Sequence, residues 1–494
     1  MLLLGIDIGT SSIKVSVADA GTRQCIASAQ FPETEAVIIS PQPGWAEQSP
    51  DTWWEYVQAA ILKLHTQKLY DPQEIAAIGI AYQMHGLVMV DKDQHALRNS
   101  IIWCDSRAVA TGEEAFNAIG PDKCLAHLLN SPGNFTASKL AWVKEQEPDI
   151  YAKADKIMLP GDFIAMKLTG AVTTSISALS EGVFWDFKKN ELAHDVFKHY
   201  GFPAELIPEV RDVFSEHGKL SNAVATALSL KPGTPVTYKA GDQPNNALSL
   251  NVLEPGDVAA TAGTSGVIYG VSDELTCDPQ SRVNTFAHVN HTLEQKRLGV
   301  LLCINGTGIL NRWIKEIAGP EKNYVQLNAE AAKIAPGSEG LVILPFGNGA
   351  ERMLNNNIVQ AHVLNIDLNK HGRAHLYRAA QEGIVFAFRY GLDIMRENGM
   401  SPKVIRAGQA NMFLSEVFAS AFVNTLQVPV ELYPGDGSLG AALGAGIGAG
   451  IFSSAAEAFS GIKPLKRIDP VTDDRYETAY AQWLLQLKKQ MTEL

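Results

Sequence analysis

The apolar positions near the start of the chain predict a buried strand that runs directly into a polar turn. Residues 2–9 are almost continuously apolar, and they lead into Gly9-Thr10-Ser11, which is rich in glycine and hydroxyl groups. The strand pattern recurs in the first half at residues 13–19, 24–31, 75–81, 87–90 and 100–103. Since three strands precede the first helix, we expect a mixed sheet whose first strands are antiparallel.

Helical periodicity begins at Ser49-Pro50-Asp51, where a capping hydroxyl precedes a proline at the first helical position. Other helices are predicted at residues 135–145, 310–317, 376–395, 413–426 and 439–451, with one that ends at Thr169-Gly170 and a last one around residues 476–487.

The strand pattern starts again in the second half of the chain. A stretch rich in Pro and Gly at residues 231–235 is followed by predicted strands at residues 258–262, 267–271, 285–288 and 299–304. We therefore predict two domains, residues 1–237 and 238–494, that pack around a cleft. The sequence does not decide whether the final helix packs on the second domain or returns to the first.

An internal repeat links the two halves. Gly9-Thr10-Ser11 is echoed by Gly263-Thr264-Ser265, and a strand follows each turn, which indicates a duplicated architecture. Such a turn can present N–H groups and hydroxyls to a phosphate, and a carboxylate beside it, here Asp7, can take Mg²⁺ directly or through water. From the first copy alone, an ordinary hairpin turn is the favoured interpretation, and the second copy is what raises the phosphate-binding alternative above it.

Composition narrows the class of protein. The 494 residues are 46% hydrophobic and 19% charged, which is typical of globular domains. The net charge of -12 argues against a nucleic-acid partner. Five scattered cysteines without a CxxC pair favour free thiols in a reducing cytoplasm. The uncharged residues 437–456 are mostly Gly and Ala, so we expect a close-packed buried helix and no membrane span.

Several polar residues could carry chemistry. Asp242, just past the predicted boundary, could accept the proton of a substrate hydroxyl, or it could simply cap a helix. His85 and Gln83 could hydrogen-bond a polyol, although a lone His is more often structural. Trp103 could form a sugar platform, and Asp105 could bind hydroxyls or pair with Arg107.

Five motifs, in the same order along the chain, resemble the FGGY family of carbohydrate kinases, within the sugar kinase, actin and heat-shock chaperone superfamily. They are Gly5–Ser11, Gly44–Gln48, Phe135–Trp142, Gly263–Gly266 and Gly437–Ala445. The resemblance covers essentially the whole chain. It implies an α/β, two-domain actin-like ATPase (ribonuclease H-like) fold with a duplicated mixed-sheet core and with ATP and sugar in the cleft.

The resemblance also implies roles for individual residues. Asp242 falls where the family has its catalytic base, and Asp7 is expected to help hold Mg²⁺. The implied sugar-binding residues are Gln83, Met84, His85, Trp103 and Asp105. The implied ATP-binding residues are Thr10, Ser11, Lys14, Gly263, Thr264, Ser265, Gly408, Gln409 and Asn411.

Within the family, Gln83-Met84-His85-Gly86 is most similar to the xylulokinases, which implies ATP-dependent phosphorylation of D-xylulose to D-xylulose 5-phosphate in the cytoplasm. Two alternatives stay open: a kinase for another ketose, pentulose or polyol, and a catalytically silent sugar- or nucleotide-binding regulator. The chain departs from the family pattern at Cys104, where Asn is common, and at Ala407-Gly408-Gln409-Ala410, where three glycines are usual. The sequence is silent on oligomeric state, so a homodimer is also left open.

Overall fold

Two large β-sheets, one in each half of the chain, organise the computed structural model, which describes residues 1–492. In the first half the strands are β1 Leu2–Ile8, β2 Ile13–Asp19, β3 Cys25–Phe31, β4 Glu47–Gln48, β5 Ile75–Tyr82, β6 Val88–Val90, β7 Ser100–Ile101, β8 Lys156–Met158, β9 Thr173–Thr174, β10 Trp185–Asp186, β11 Glu191–Leu192, β12 Glu209–Val210, β13 Phe214–Lys219 and β14 Pro235–Gly241. The helices of this half are α1 Pro50–His65, α2 Val109–Ile119, α3 Pro121–Leu128, α4 Thr136–Gln146, α5 Pro148–Tyr151, α6 Pro160–Thr169, α7 Ile176–Glu181, α8 His194–Tyr200, α9 Asn222–Ala227 and α10 Asp242–Ser249.

The second half repeats this mixture of strands and helices. Its strands are β15 Val258–Ala262, β16 Gly266–Ser272, β17 Asn284–Ala287, β18 Leu298–Ile304, β19 Val342–Phe346, β20 Gln360–Leu364, β21 Ile405–Gly408, β22 Val430–Tyr433 and β23 Lys466–Ile468. Its helices are α11 Gly308–Ala318, α12 Tyr324–Ala331, α13 Arg373–Glu397, α14 Glu416–Leu426, α15 Gly437–Gly448, α16 Ala455–Ala458 and α17 Asp474–Thr492. Two short 3₁₀ turns, Arg352–Leu354 and Asn411–Leu414, also line the cleft region.

The two sheets have the same topology over six strands. The first sheet has the order β3-β2-β1-β5-β14-β13, and the corresponding strands of the second are β18-β16-β15-β21-β22-β23. In both, two antiparallel pairs are followed by two parallel pairs and then by an antiparallel edge strand. The predicted duplicated core of mixed sheets, with antiparallel first strands, is confirmed.

The Gly- and Ala-rich helix α15 joins the two halves. It lies on the first sheet so closely that a Cβ on Gly5 would come 1.8 Å from the carbonyl oxygen of Ser438. A Cβ on Gly79 would come 2.0 Å from the carbonyl oxygen of Ala441. Only glycine permits such backbone contact, so the prediction of a buried, close-packed helix is correct.

Three predictions about the chain's organisation need correction. The division at residue 237 falls inside β14, which pairs with β5 of the first sheet, so it is placed too early. The final helix α17 packs in the second half, where Trp483 is fully buried and donates a hydrogen bond to the carbonyl of Ile343. The helix predicted from residue 413 begins at Glu416, because a 3₁₀ turn precedes it.

Candidate active site

The first Gly-Thr-Ser turn connects β1 to β2 and is tied to the neighbouring β5 side of the sheet. The Thr10 hydroxyl accepts a hydrogen bond from Trp103 Nε1 at 2.9 Å and donates one to Gln83 Oε1 at 3.2 Å. The Gln83 amide donates to Gln48 Oε1, and Gln48 donates to the Thr10 carbonyl. Both polar atoms of the buried Gln83 side chain are therefore engaged within the protein and fix the turn, while Ser11 at its tip is exposed.

His85 lies beyond the end of β5 with one free ring nitrogen. Its Nδ1 donates to the Glu181 carbonyl, so the neutral ring keeps Nε2 as an acceptor. Burial, and then the charge of Lys139, lower the pKa of His85 to about 3, so the ring is neutral at physiological pH. Phe135 and Phe286 lie against the ring at 4.9 and 5.3 Å between centroids, which gives this side of the cleft an apolar wall.

Lys139 of helix α4 holds two loops of this wall together. Its buried ammonium donates to the carbonyls of His85 and Ile102, each at 3.0 Å. Burial lowers the pKa of Lys139 to about 7, although the nearby Asp105 opposes this shift. This contact explains the position of Lys139 in the Phe135–Trp142 motif: it positions His85 and the residue before Trp103.

Trp103 and Asp105 have different environments although they are close in sequence. Trp103 is 45% exposed and its indole N–H is held by Thr10, so one face of the ring remains open. Asp105 is 1% exposed and accepts hydrogen bonds from the Ala46 N–H and from the Arg107 guanidinium. Its carboxylate is thus engaged by donors of the protein itself, and its contact with a sugar stays a prediction. Met84 is likewise buried, against Gly241.

Asp242 is the first residue of α10, directly after β14, and Gly241 takes the N-cap position that was the alternative for Asp242. Burial, and then the charge of Asp7, raise the pKa of Asp242 to about 7. Burial, and then the charge of Asp436, raise the pKa of Asp7 to about 6, and the Asp7 carboxylate accepts no side-chain hydrogen bond within residues 1–492. Two under-solvated carboxylates thus lie at the ends of the central strands of the first sheet.

Glu181 is a buried acid that the sequence analysis missed. It is 0% exposed, accepts a hydrogen bond from the Tyr82 hydroxyl, and lies where a Cβ on Gly241 would come 2.8 Å from its Oε1. Burial raises the pKa of Glu181 well above its usual value, and the charge of Asp242 adds to the shift. A single Glu at a helix end gives no pattern that would have identified it.

The second Gly-Thr-Ser turn opens onto a cavity of about 390 Å³. The Gly263 and Thr264 carbonyls accept hydrogen bonds from the N–H groups of Gly308 and Ile309, which start helix α11. The lining residues that carry polar side chains are Thr264, Asn311, Arg312, Tyr324, Asn328, Tyr377, Gln381, Asn411 and Ser415. A cavity of this size and mixed lining suits a small molecule.

The remaining predicted nucleotide residues are more scattered. Gly408 is the last residue of β21, and the exposed Gln409 donates its backbone N–H to the Tyr433 carbonyl. Neither residue lines the cavity, whereas Asn411 does. Lys14 on β2 forms an ion pair with Asp436 at 2.9 Å.

Asp436 completes a second repeat that the sequence analysis missed. Gly435-Asp436 comes shortly after β22, and Gly241-Asp242 stands at the end of the equivalent strand β14, whose last residue is Gly241. The Asp436 side chain accepts from the N–H groups of Ser438 and Leu439 and so caps α15. The signal was present in the sequence as a repeated Gly-Asp pair, but it is only two residues long.

No helix within residues 1–492 combines the length and apolar character that a membrane span requires.

Two family models match the chain: the N-terminal domain of the FGGY family of carbohydrate kinases over residues 2–249, and the C-terminal domain of that family over residues 258–449. The gap between the matched ranges lies between α10, which ends at Ser249, and β15, which begins at Val258. Each matched range therefore contains the first strands of one of the two large sheets.

Individual relatives give a similar result. The chain is 28% identical to the xylulose kinase of Bacillus subtilis (strain 168) over 92% of its length and 90% of the relative's. It is also 28% identical to the xylulose kinase of Escherichia coli (strain K12), over 90% and 88% of the two chains. A crystal structure of xylulose kinase from Rhodospirillum rubrum superposes with a TM-score of 0.86 at 25% identity and covers 99% of both chains.

Proposed function

We propose that this chain, which belongs to the FGGY family of carbohydrate kinases, transfers the γ-phosphoryl group of ATP to D-xylulose and forms D-xylulose 5-phosphate. The observation that carries the proposal is Asp242, a carboxylate that begins α10 directly after β14 and whose pKa is raised by burial and by the charge of Asp7. The assignment of the sugar is supported by similarity to xylulose kinases over nine-tenths of the chain.

The sugar is proposed to bind against His85, Trp103 and the rings of Phe135 and Phe286. His85 Nε2 is available to accept a hydrogen bond from a hydroxyl, since its Nδ1 is already committed. The open face of Trp103 can cover the C–H face of the sugar. Gln83 and Asp105 are proposed to act indirectly, because their polar atoms are used to hold the turn and the Trp103 segment.

Asp242 is the proposed general base. A pKa near 7 keeps a useful fraction of the carboxylate ionised at neutral pH while making it a better proton acceptor than an ordinary Asp. As the terminal hydroxyl attacks the γ-phosphorus, its proton passes to the Asp242 oxygen, and the bond between the β–γ bridging oxygen and phosphorus breaks, with ADP leaving.

The nucleotide is proposed to occupy the cavity beside the second turn, with Gly263, Thr264 and Asn411 in its lining. Backbone N–H groups of the two turns, including those of Ser11 and Ser265, would then contact the phosphates. Asp7 fits a Mg²⁺ site, because its carboxylate has no side-chain partner within the described residues and Mg²⁺ typically combines one or two carboxylates with phosphate oxygens and water. When bound, the ion would neutralise phosphate charge during transfer.

A substrate panel tests the proposal directly. The purified protein is supplied with Mg²⁺-ATP and, in parallel, D-xylulose, D-ribulose, L-ribulose, gluconate and glycerol, and ADP release is followed together with mass detection of the sugar phosphate. D-xylulose is expected to give the highest kcat/KM and a product phosphorylated at O5. A higher value with another sugar would replace the substrate. No turnover with any sugar, combined with measurable sugar binding, would favour the regulator alternative.

A further inference from the structure

Arg352 is the first residue of the 3₁₀ turn Arg352–Leu354 in the second half of the chain, yet its side chain extends to the wall of the first half. Its guanidinium lies 5.6 Å from the centre of the Phe135 ring. Its Nη2 lies 3.7 Å from where a Cβ on Gly133 would be. It therefore faces the loop that precedes α4, beside the ring that packs on His85.

The backbone that carries Arg352 is firmly anchored. The preceding residue, Glu351, is fully buried and accepts hydrogen bonds from the N–H groups of Asn305 and Gly306 at 3.0–3.2 Å. Those residues follow β18 and lead into the loop that packs on the second Gly-Thr-Ser turn through Gly308. A side chain that starts from this anchor has its origin fixed relative to the nucleotide side of the cleft.

The surroundings of Arg352 connect the two sides of the cleft. Its charge contributes to lowering the pKa of His85 on the sugar side. On the other side, it opposes the rise that burial causes in the pKa of Cys303. Cys303 in turn is close enough to Asp242 and Ser265 for both to affect its pKa. Arg352 is thus near enough to both His85 and Cys303 for its charge to act on each.

The guanidinium is half-buried and has neither a hydrogen bond nor an ion pair within residues 1–492. Three other cations of this region are occupied: Lys139 by two carbonyls, Arg107 by Asp105 and Glu47, and Lys14 by Asp436. Taking a guanidinium partly out of water without a partner costs free energy, so an unused fork of donors in this position indicates a ligand.

We propose that Arg352 binds hydroxyl oxygens of the sugar from the second half of the chain, opposite His85. A guanidinium offers five N–H donors and no acceptor, which complements the acceptor lone pairs of hydroxyl groups, while His85 Nε2 accepts from another hydroxyl. Phe135, the first-half ring beside Arg352, belongs to the proposed sugar site, and Gly133 lies in the loop before α4. Neither belongs to a phosphate turn, which favours sugar over the transferred phosphoryl group. This inference rests on the proposed function and adds a specificity residue to it.

The test compares Arg352→Met with Arg475→Met in the full-length enzyme. Arg475 is 61% exposed and pairs only with Asp473, which makes it a matched control for loss of an arginine. Arg352→Met is expected to raise the sugar KM about 10–100-fold, as loss of a hydrogen bond from a charged donor predicts, while the ATP KM stays within about twofold. The sugar KM of Arg352→Lys should fall between those of the wild-type enzyme and Arg352→Met, since lysine keeps the positive charge but lacks the forked arrangement of donors.

Monodeoxy analogues of the best sugar then identify the contacted hydroxyl. The wild-type enzyme should discriminate against removal of that hydroxyl by about tenfold or more, and Arg352→Met should lose this discrimination at one position only. Thermal unfolding of each variant is measured alongside, and a variant that is not folded is replaced by Arg352→Gln.

The possible failures can be told apart. An unchanged sugar KM in Arg352→Met, or a fall in kcat with the sugar KM unchanged, overturns the inference and leaves the proposed function intact; the second result would place Arg352 at the phosphoryl group. Absence of turnover by the wild-type enzyme with every sugar overturns the proposed function and the inference together.

Discussion

The two Gly-Thr-Ser turns have the same sequence and the same position in their sheets, but they are held by different partners. The first is tied by side chains, because the Thr10 hydroxyl bonds to Trp103 and Gln83. The second is tied by its backbone carbonyls to the start of α11, and the exposed Thr264 lines a cavity. The two turns thus share a backbone position, whereas the side chain of Thr10 is held by the proposed sugar wall and that of Thr264 faces the proposed nucleotide cavity.

The two Gly-Asp pairs show the same division. Asp436 caps α15 and pairs with Lys14, so its carboxylate is committed to structure. Asp242 occupies the equivalent place after β14, but it begins its helix and accepts no hydrogen bond from a side chain other than that of the adjacent Gln243. An acid without a committed partner keeps a raised pKa and is available for chemistry.

Exchanging both acids for amides should separate these roles most strongly. Asp242→Asn is expected to lower kcat by about 10²–10⁴-fold, because an amide cannot accept the hydroxyl proton. Asp436→Asn should retain most of the activity, since Asn is also a good N-cap. Steady-state kinetics of both purified variants provide the comparison, and equal losses of kcat would show that the two acids are not functionally distinct.

The same pair of variants should differ in how stability depends on pH. The folded-state pKa of Asp242, about 7, exceeds the ordinary value of 3.8, so the folded protein binds the extra proton and its stability falls as the pH rises between those values. Asp242→Asn removes this loss and should raise the free energy of unfolding at pH 8 by on the order of 2–4 kcal/mol.

Chemical denaturation at pH 5 and pH 8 measures this effect. Asp436→Asn should keep the part of the pH dependence that comes from Asp242 and lose only part of the smaller contribution of Asp7, whose raised pKa depends partly on the charge of Asp436. The wild-type kcat/KM should fall below an inflection at or under about pH 7, as the base becomes protonated. A stability that is equally pH-dependent in Asp242→Asn would contradict the assignment of the raised pKa.

Removing the threonine hydroxyl from each turn should raise the KM for a different substrate. Thr10→Val leaves Trp103 Nε1 and Gln83 Oε1 without a partner, which costs about 1–2 kcal/mol and should raise the sugar KM by about tenfold. Thr264→Val should instead raise the ATP KM by a few-fold, because Thr264 lines the cavity. Initial rates with either substrate varied decide the matter, and the reverse pattern would contradict the comparison.

Much of this arrangement could be predicted from the sequence, because it depends on local patterns. The apolar period gave the strands β1, β2 and β15, and the repeated Gly-Thr-Ser indicated duplication. What could not be predicted depends on long-range partners: that Gln83 and Asp105 are saturated by Gln48 and Arg107 follows only from the folded contacts.

Positions far apart in sequence account for the other differences. β14 belongs to the first sheet because it pairs with β5, more than 150 residues earlier, although the Pro- and Gly-rich stretch before it looks like a domain boundary. Glu181 and Arg352 were missed because each is a single residue whose importance comes from what packs around it.

The smallest expected effect concerns the ion pair that crosses between the halves. Lys14 is 41% exposed, so its bond to Asp436 should stabilise the fold by less than about 1 kcal/mol, and Lys14→Met should change thermal stability little. Lys63→Met is the matched control, since Lys63 is 42% exposed and pairs with Glu33 on the outer surface. Only Lys14→Met should raise the ATP KM, by about threefold, because it leaves the Asp436 charge uncompensated near Asp7 and thus near the proposed phosphate site. Equal ATP KM values in the two variants would show that the pair serves the fold alone.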